Sequence, residues 1–264
     1  MKVLSIVSQK GGVGKTTTAL NLAWALAQRG WRVLLVDTDP QGGIGLSLSK
    51  LSPSEGLAGY LSRSCSLTQA VLKTRLANFS LLPFGPMSVI ETSTFANRCS
   101  DGRDFSRLAA EDGYDIVMLD TPAGFTGITM GALRASDWVL SPLQAEPLAM
   151  RSAAQLLEVL AALRVQGGKA TLAGFLLTML DLRNPQSLAV ATEAWSEFPD
   201  AVLFQSNIPR DPVFLEASAA GVPVGLLSRR PPPIAARFDQ VAAELEKRLA
   251  PDKEEDNGPV SLFA

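Results

Sequence analysis

Lys10-Gly11-Gly12-Val13-Gly14-Lys15-Thr16-Thr17, directly after the apolar run Val3 to Val7, is the stretch of sequence that decides the fold. A loop that wraps a polyphosphate brings several backbone N–H groups to one anion, and glycine permits this approach because it has no Cβ. The residues from Lys15 onward have the pattern of a helix, whose N-terminal dipole favours an anion. The order of strand, glycine-rich loop and helix therefore predicts a phosphate-binding loop.

The loop is a variant of the pattern G-x-x-x-x-G-K-[ST], because Gln9 stands where that pattern has its first glycine. We expect Lys15 to reach the β- and γ-phosphates of a nucleotide and the Thr16 hydroxyl to bind Mg²⁺. Lys10 is an additional lysine at the outer edge of the loop. Since Lys15 and Mg²⁺ already neutralise the γ-phosphate, Lys10 is well placed for the nucleotide of a facing subunit, as an arginine finger acts in trans. The sequence leaves open the alternative that Lys10 contacts its own nucleotide.

Length and composition favour one enzyme-sized domain. The chain has 264 residues, of which 47% are hydrophobic and 19% are charged, and this fits one large α/β domain better than two small ones. We predict that residues 1–250 form this domain and that residues 251–264 form an acidic, disordered tail. The net charge of −2 gives no general attraction for nucleic acid or anionic lipid, so binding to either needs a local patch.

Residue types that are absent or rare exclude several classes of site. The chain has no histidine, which excludes a histidine base or a histidine-ligated metal. Cys65 and Cys99 have no paired spacing and are interpreted as small buried or surface residues of a protein in a reducing compartment. The longest apolar stretch, Ala170 to Leu180, is shorter than the roughly 18 residues that span a bilayer. With no cleavable leader at the N-terminus, these features predict a cytoplasmic protein.

Short apolar runs alternate with helical patterns along the chain, which is typical of a mostly parallel, twisted sheet with helices on both faces. The predicted strands are Val3 to Val7, Val33 to Val36, Phe79 to Pro83, Ile116 to Leu119, Trp138 to Ser141 and Leu172 to Met179. The predicted helices are Lys15 to Gln28, Met150 to Arg164, Gln186 to Trp195 and Ile234 to Leu249. Together with the glycine-rich loop, this order predicts the α/β fold of a P-loop NTPase.

Two strands end in acidic residues, which predicts carboxylates at the ligand-binding edge of the sheet. The strand Val33 to Val36 runs into Asp37-Thr38-Asp39-Pro40-Gln41, and Asp39 is the candidate that orients the attacking water. Asp37 either acts on Mg²⁺ through its hydration shell or caps the strand, and an exposed Asp-Pro turn is the structural alternative for the pair. The strand Ile116 to Leu119 ends in Asp120, which is expected to hold the metal through water.

Taken together, these motifs resemble the ParA/MinD family of deviant Walker A ATPases, most closely its ParA-type partitioning members. The segments that carry the resemblance are Lys10 to Thr17, Asp37 to Gln41, Asp120 to Pro122, Pro142 to Glu146, Leu177 to Met179 and Ile208-Pro209. They are spread over nearly the whole chain. One departure is Ala123, which stands where family members often have a second proline, so the loop after the Asp120 strand differs in detail from the family pattern.

The resemblance implies an ATPase that uses ATP and Mg²⁺ and forms an ATP-dependent homodimer. In that reading Lys10 crosses the dimer interface to the partner's phosphates, and Asp39 is required for hydrolysis. The implied metal-site residues are Thr16, Asp39 and Asp120, and the residues implied near the adenine are Met179, Pro209, Arg210 and Asp211. From residue types alone, the segment Ser206 to Asp211 is an ordinary loop.

The first functional reading is an ATPase that positions a plasmid, a chromosome origin or a protein assembly. Its ATP dimer would bind nucleoid DNA without sequence preference, and a ParB-like or cargo-adaptor partner would stimulate hydrolysis. The candidate DNA contacts are Arg229, Arg230 and Arg237. A solvated basic turn is the structural alternative for these three residues.

Other readings of the same fold need residues that this chain lacks. A MinD-like ATPase that acts on a membrane or polar scaffold without DNA is the alternative function, but membrane binding requires a basic amphipathic C-terminal helix and residues 251–264 are acidic. An electron-transfer protein like the nitrogenase iron protein needs a cysteine soon after the Asp120 strand, and residues 121–130 contain none. Tyrosine-kinase relatives carry a tyrosine cluster at the tail, whereas this chain has only Tyr60 and Tyr114.

Overall fold

The protein, as a computed structural model, is described for residues 2–48 and 54–250, in which seven strands form one sheet. In chain order the strands are β1 (Lys2–Ile6), β2 (Val33–Asp37), β3 (Leu72–Lys73), β4 (Phe79–Leu82), β5 (Ile116–Asp120), β6 (Trp138–Gln144) and β7 (Thr171–Thr178). Their order across the sheet is β3-β4-β2-β5-β1-β6-β7. Every neighbouring pair is parallel except β3 with β4, which is antiparallel.

Helices connect the strands and cover both faces of the sheet. In the described part of the chain they are α1 (Lys15–Gln28), α2 (Gly43–Ser47), α3 (Gly56–Ser62), α4 (Leu67–Ala70), α5 (Val89–Cys99), α6 (Arg103–Ala109), α7 (Gly127–Ala135), α8 (Ala149–Val165), α9 (Pro185–Glu197), α10 (Val213–Ala220) and α11 (Ala235–Leu249). A 3-10 turn at Val224–Leu226 separates α10 from α11. Parallel strands need such crossovers, because a tight turn cannot return the chain to run in the same direction.

The buried side chains of the strands alternate between two layers of helices. Leu35 packs in the layer that contains α1 and α11, whereas its neighbour Leu34 packs in the layer around α5, α6 and α7. On β7, Leu176 and Phe175 are divided in the same way between α11 and the α8 and α9 side. Successive residues of a strand point to opposite faces, so a strand covered on both faces is apolar throughout.

The predicted fold class is confirmed, and the six predicted strands and four predicted helices are present within three residues of their expected ends, the largest difference being β6, which ends at Gln144 rather than Ser141. Edge strand β3 was not predicted, because two residues are too few to show an alternating pattern. Helices α2 to α7 and α10 were also not predicted; most of them are shorter than three turns. The assignment of residues 1–250 to one domain stays a prediction, and the tail 251–264 lies outside the described residues.

The carboxyl ends of the central strands meet at one edge of the sheet. In the strand registers, Asp120 of β5 is paired with Ile6 of β1 on one side and with Asp37 of β2 on the other. The loop from Val7 to Gly14 follows β1 at this same edge. The parallel register therefore brings both acidic strand ends next to the glycine-rich loop.

Among the described residues, no helix is both long enough and apolar enough to cross a membrane. The last described helix, α11, is amphipathic, but its apolar residues Phe238, Val241, Leu245 and Leu249 are buried against the sheet and α1. Its apolar face is therefore occupied within the fold.

The close approach of α5 and α7 generates a prediction for Gly131. A Cβ atom at Gly131 would lie 1.8 Å from the carbonyl oxygen of Cys99, so a side chain can enter only if the two helices separate. We expect Gly131→Ala to lower the free energy of unfolding by about 3 kcal/mol, as overpacking against backbone does. Urea denaturation measures this change.

Gly45→Ala is the matched control, since a Cβ there would meet no atom within 4 Å. Because alanine is favoured over glycine in a helix, this variant should be unchanged or more stable by up to about 1 kcal/mol. Equal stability of the Gly131 and Gly45 variants would contradict the close packing of α5 on α7.

Candidate functional site

The glycine-rich loop between β1 and α1 has one buried anchor and an exposed glycine face. Val13 is buried, and its carbonyl oxygen accepts a hydrogen bond of 2.9 Å from the Thr178 hydroxyl at the end of β7. Gly12 and Gly14 have φ values of 77° and 88°, a left-handed conformation that side chains with a Cβ rarely adopt. Gly14 is also the N-cap of α1. The loop is thus anchored to the sheet through Val13, and its glycine backbone is exposed to a ligand.

Lys15 is the buried lysine of the loop. Its Nζ lies 3.4 Å from the carbonyl oxygen of Lys10, across the mouth of the loop. Burial lowers the pKa of Lys15, while the charges of Asp120 and Asp39 act in the opposite direction. The structure therefore brings together three of the predicted site residues, with the lysine facing two carboxylates at the start of α1.

Asp120 is fully buried at the end of β5 with an unsatisfied carboxylate. Neither of its side-chain oxygens forms a hydrogen bond of ordinary geometry in the described part of the chain, although the Thr16 side chain lies close enough to stabilise the charged form. Burial raises the pKa of Asp120 to about 8, against the opposing effects of the nearby Thr16 side chain and the Lys15 charge. The backbone of Asp120 is held firmly, because its carbonyl oxygen accepts hydrogen bonds of 3.0 and 2.7 Å from the amide and hydroxyl of Thr38.

This donor set fits a small divalent cation. Mg²⁺ binds carboxylate, hydroxyl and water oxygens, usually through one or two carboxylates with the rest of its shell left to water and phosphate. A buried, unpartnered carboxylate beside a threonine hydroxyl at a helix N-terminus supplies such oxygens. The expected positions of Thr16 and Asp120 are therefore compatible with the metal role that the sequence predicts.

Asp37 anchors the segment after β2. One carboxylate oxygen accepts from the amide of Asp39 at 3.1 Å, and the other accepts from the amide of Ile44 at 2.9 Å, at the start of α2. Burial raises the pKa of Asp37 to about 6. Asp37 thus holds the loop 38–44 closed by hydrogen bonds at both of its ends, and its action on Mg²⁺ stays a prediction. A Cβ at Gly43 would lie 3.1 Å from the Thr16 Oγ1, so this loop passes directly over Thr16.

Asp39 is half-buried and takes part in a turn. Its carboxylate accepts from the amide of Gln41 at 2.9 Å, and its carbonyl accepts from the amide of Gly42 at 2.8 Å. A turn is therefore present at Asp39-Pro40, but it is half-buried, and Asp37 is fully buried, so the exposed Asp-Pro turn considered from the sequence is not what forms. The charge of Asp39 also acts to raise the pKa of Lys15, so the carboxylate lies within electrostatic range of the phosphate loop. Its role in hydrolysis stays a prediction.

Lys10 differs from Lys15 in pointing outward. Its side chain is 44% exposed, and its Nζ lies 2.9 Å from Oε2 of Glu146 and 3.5 Å from Oε1 of Gln144. The same carboxylate is also 3.8 Å from the guanidinium of Arg210. The sequence places Glu146 in a segment that resembles the family pattern but does not indicate its contact with Lys10. The available signal was that Gln144 ends β6 at the same edge of the sheet.

The residues expected near an adenine lie beside the phosphate loop, with one exception in role. Met179 has a φ of 52°, and its Cε lies 3.7 Å from where a Cβ of Gly14 would be. Residues 208–210 run alongside, since the amide of Arg210 donates to the carbonyl of Leu180 at 3.0 Å and Pro209 pairs with Leu180. The carboxylate of Asp211 instead accepts a hydrogen bond of 2.9 Å from the amide of Val213, which stabilises the start of α10.

The three candidate DNA-contact arginines lie in the segment from the 3-10 turn into α11. Arg229, Arg230 and Arg237 are all exposed. None of them forms an ion pair within the described residues, and Arg237 has only a 3.3 Å hydrogen bond to Gln240. Their guanidinium groups are therefore available to an external anion.

Comparison with known proteins agrees with this geometry. The family model described as "AAA domain" matches residues 1–172. The chromosome partitioning protein ParA of Caulobacter vibrioides is 37% identical over 233 residues, which are 85% of this chain and 86% of that protein. The sporulation initiation inhibitor protein Soj of Bacillus subtilis is 32% identical, with coverage of 94% and 98%.

Solved structures show the same fold. The septum site-determining protein MinD from Pyrococcus horikoshii, complexed with Mg-ADP, superposes with a TM-score of 0.72 at 25% identity and covers 93% of this chain and 96% of its own. The glycine-rich loop, the acidic strand ends and these relatives lead to one conclusion. The chain belongs to the ParA/MinD family of P-loop ATPases.

The unsatisfied carboxylate generates a prediction for stability without ligand. The pKa of Asp120 near 8 lies above the ordinary value of 3.8, so the folded state binds a proton that the unfolded chain releases. Wild-type stability should therefore fall between pH 4 and pH 8. Asp120→Asn removes the buried charge, and the nucleotide-free variant should be more stable than wild type by about 1–3 kcal/mol at pH 8.

Thermal unfolding at pH 5 and pH 8, without nucleotide or divalent cation, measures this effect. The stability gain should be largest at pH 8 and shrink toward pH 5. Asp112→Asn, at an exposed position, is the control and should show no such trend. An Asp120 variant that is destabilised equally at both pH values would argue that the carboxylate has a structural partner.

Proposed function

We propose that this protein is an ATP-dependent dimerising switch that hydrolyses ATP and positions or segregates a cargo. The proposal rests on the different environments of the two loop lysines. Lys15 is buried against Asp120 and Asp39, whereas Lys10 is half-exposed and points away from the loop. A buried lysine serves the nucleotide of its own subunit, and an outward lysine is available to a second one.

In the proposed mechanism the loop amides and Lys15 bind the β- and γ-phosphates of ATP, the substrate. Thr16 and Asp120 would hold Mg²⁺, which supplies neutralisation of the charge on the β- and γ-phosphate oxygens when it is bound. Asp39 orients the attacking water, a role supported by its half-buried position facing Lys15. Met179, Pro209 and Arg210 line the side of the loop where the adenine would lie.

Lys10 must leave Glu146 before it can act on a second subunit. The pair is solvent-exposed, with side chains 44% and 42% accessible. Exposed pairs of this kind contribute only about 0–1 kcal/mol. The triphosphate of a facing subunit carries several negative charges in a less hydrated setting and therefore competes well for the lysine. After hydrolysis the shared charge falls, and Lys10 can return to Glu146 as the dimer separates.

Light scattering with ATP and Mg²⁺ tests the proposed dimer with two variants. Asp39→Ala should bind ATP and accumulate as a long-lived dimer, with ATP turnover reduced at least tenfold, because water is no longer oriented. Lys10→Ala should bind ATP but remain a monomer, because the contact across the interface is lost. The magnitudes follow those of single groups that position water or stabilise phosphoryl transfer.

Lys247→Ala, which removes an exposed lysine of α11, is the matched control and should dimerise like wild type. A Lys10→Ala protein that still forms the full ATP dimer would show that Lys10 serves its own nucleotide. Unchanged ATP turnover in Asp39→Ala would remove Asp39 from the hydrolytic mechanism.

The cargo function we infer is that of the partitioning relatives, with the ATP dimer bound to DNA without sequence preference. Support comes from the exposed guanidinium groups of Arg229, Arg230 and Arg237, which form no ion pair with any described residue and which a dimer would present twice. The overall charge of −2 means that such binding depends on this local patch. A ParB-like or cargo-adaptor protein would stimulate an otherwise slow hydrolysis and release the dimer from the nucleoid, within the cytoplasm.

Binding to nonspecific duplex DNA, measured by anisotropy with ATP, ADP or no nucleotide, tests this part of the proposal. We expect binding only with ATP and a steep decrease as salt rises, because phosphate contacts release counterions. The double variant Arg229→Glu/Arg230→Glu should bind at least tenfold more weakly while its ATP dimer is retained.

Arg164→Glu/Lys247→Glu makes the same charge change at other exposed positions and serves as the control. If both double variants lose equal affinity, DNA binding depends on overall charge, and the patch assignment is wrong. Absence of ATP-dependent DNA binding in wild type would favour a MinD-like positioning function on another scaffold. Neither outcome affects the dimer proposal, which light scattering tests separately.

A further inference from the structure

Leu148, in the connection from β6 to α8, has a backbone conformation that leucine rarely adopts. Its φ and ψ are 78° and 1°, in the left-handed region where a Cβ crowds the backbone. The amide of Ala149 donates to the carbonyl of Glu146 at 3.1 Å, which closes the turn Glu146-Pro147-Leu148-Ala149. The angles of Leu148 are close to the values of about +80° and 0° at the third position of a type II turn, which favours glycine there and proline before it. Leucine is therefore an unfavourable choice for this turn.

The fold of the single chain gains little from the Leu148 side chain in return. It is 66% exposed and belongs to no buried hydrophobic cluster of the described residues. The other non-glycine residues described with a positive φ have a local explanation, since Arg63 ends α3 and Met179 lies against Gly14 of the phosphate loop. A strained residue without such an explanation is a reason to look for a function.

The turn that carries Leu148 adjoins the outward lysine of the phosphate loop. Leu148 is two residues beyond Glu146, whose carboxylate lies 2.9 Å from the Nζ of Lys10. Lys10, Glu146 and Pro147 line the same shallow depression. The surface at which Lys10 leaves its own subunit therefore continues onto this turn.

Two further exposed leucines lie on the segments that meet at Glu146. The guanidinium of Arg210 is 3.8 Å from the Glu146 carboxylate, and the amide of Arg210 donates to the carbonyl of Leu180 at 3.0 Å. Leu182 follows Leu180 and is 63% exposed, and Leu215, in the first turn of α10, is 76% exposed. Single exposed leucines are common on protein surfaces, but several on adjoining segments favour contact with another protein.

We propose that Leu148 is an apolar anchor of the ATP-dependent dimer, in which it packs against the facing copy of this chain. The inference rests on the proposed dimer and adds an apolar contact to it. A second copy is the partner that this surface fits, because an interface crossed by Lys10 must cover the turn beside Lys10. In a two-fold interface the same surface is used by both subunits, so each contributes one Leu148.

The strained turn has a physical reason in such an interface. The type II turn fixes the backbone of Leu148 before the subunits meet, so less conformational entropy is lost on association. Burial of the leucine then offsets the unfavourable backbone conformation, and this gain exists only in the dimer. Leu148 is thus unfavourable for the monomer and favourable for the dimer.

Substitutions that fit the turn but lack the apolar side chain test the proposal. Glycine and asparagine both tolerate the left-handed region, so Leu148→Gly and Leu148→Asn should unfold at the same temperature as wild type or higher without nucleotide. Sedimentation equilibrium of the full chain, with Mg²⁺ and a slowly hydrolysed ATP analogue, measures the dimer. Both variants should raise its dissociation constant at least tenfold, as loss of a buried apolar anchor does.

Two control variants accompany this experiment. Leu148→Met keeps an apolar side chain of similar size and should dimerise within about threefold of wild type. Val165→Asn makes the same kind of change at the opposite end of α8, where the valine is 90% exposed, and should dimerise like wild type. Binding of a fluorescent ATP analogue, at protein concentrations too low for dimerisation, should be unchanged in all four variants.

Each contrary outcome has a distinct meaning. A wild-type dimer that the glycine and asparagine variants form equally well would overturn the role of Leu148 and leave the proposed function intact. Absence of a wild-type dimer with the ATP analogue would overturn the proposed function and this inference with it. Lower thermal stability of both variants would assign Leu148 to the fold of the single chain. Equal weakening by Val165→Asn would show that the effect is not specific to the turn.

Discussion

The buried carboxylate of Asp120 is the constraint on which the site depends. It lies at the end of a strand covered on both faces, next to Lys15 and Thr16, yet neither oxygen forms a hydrogen bond of ordinary geometry among the described residues. Burying such a group is unfavourable unless something pairs with it. A cation that binds this carboxylate relieves the cost of burying it, and that relief adds to the affinity for the cation and its phosphate. The sheet register places the carboxylate there through Ile6 and Asp37.

The sequence predicted the centre of the fold well, because its signals are local. The glycines of the phosphate loop fix the start of α1, and a long apolar helix follows with the bounds expected, Lys15–Gln28. The central parallel strands are continuous apolar runs, which are easy to recognise. Edge strand β3 and the short helices have no such signal. Helix α5 has one local signal, because Ser88 and Glu91 form a capping box at its N-terminus, and this pattern in the sequence indicates where the helix begins.

The sequence predicted the site residues that lie at or next to the ends of strands. It did not predict contacts between side chains that are far apart in the chain. Lys15, Asp39 and Asp120 come together because parallel strands share one carboxyl edge. Lys10 and Glu146 are 136 positions apart, and their contact depends on the side-chain rotamers that they adopt. Residue spacing in the sequence predicts neither. Asp211 shows the opposite case: it was expected near the adenine, and its carboxylate accepts from the amide of Val213 at the start of α10. Residue type alone does not separate these two uses.

Asp37 links the two ends of the segment that follows β2. Its two oxygens hold the amides of Asp39 and Ile44, so one carboxylate clamps both ends of a short arc of backbone. Both ends of this segment therefore depend on one side chain, so a substitution of Asp37 would release the turn at Asp39 and the start of α2 together.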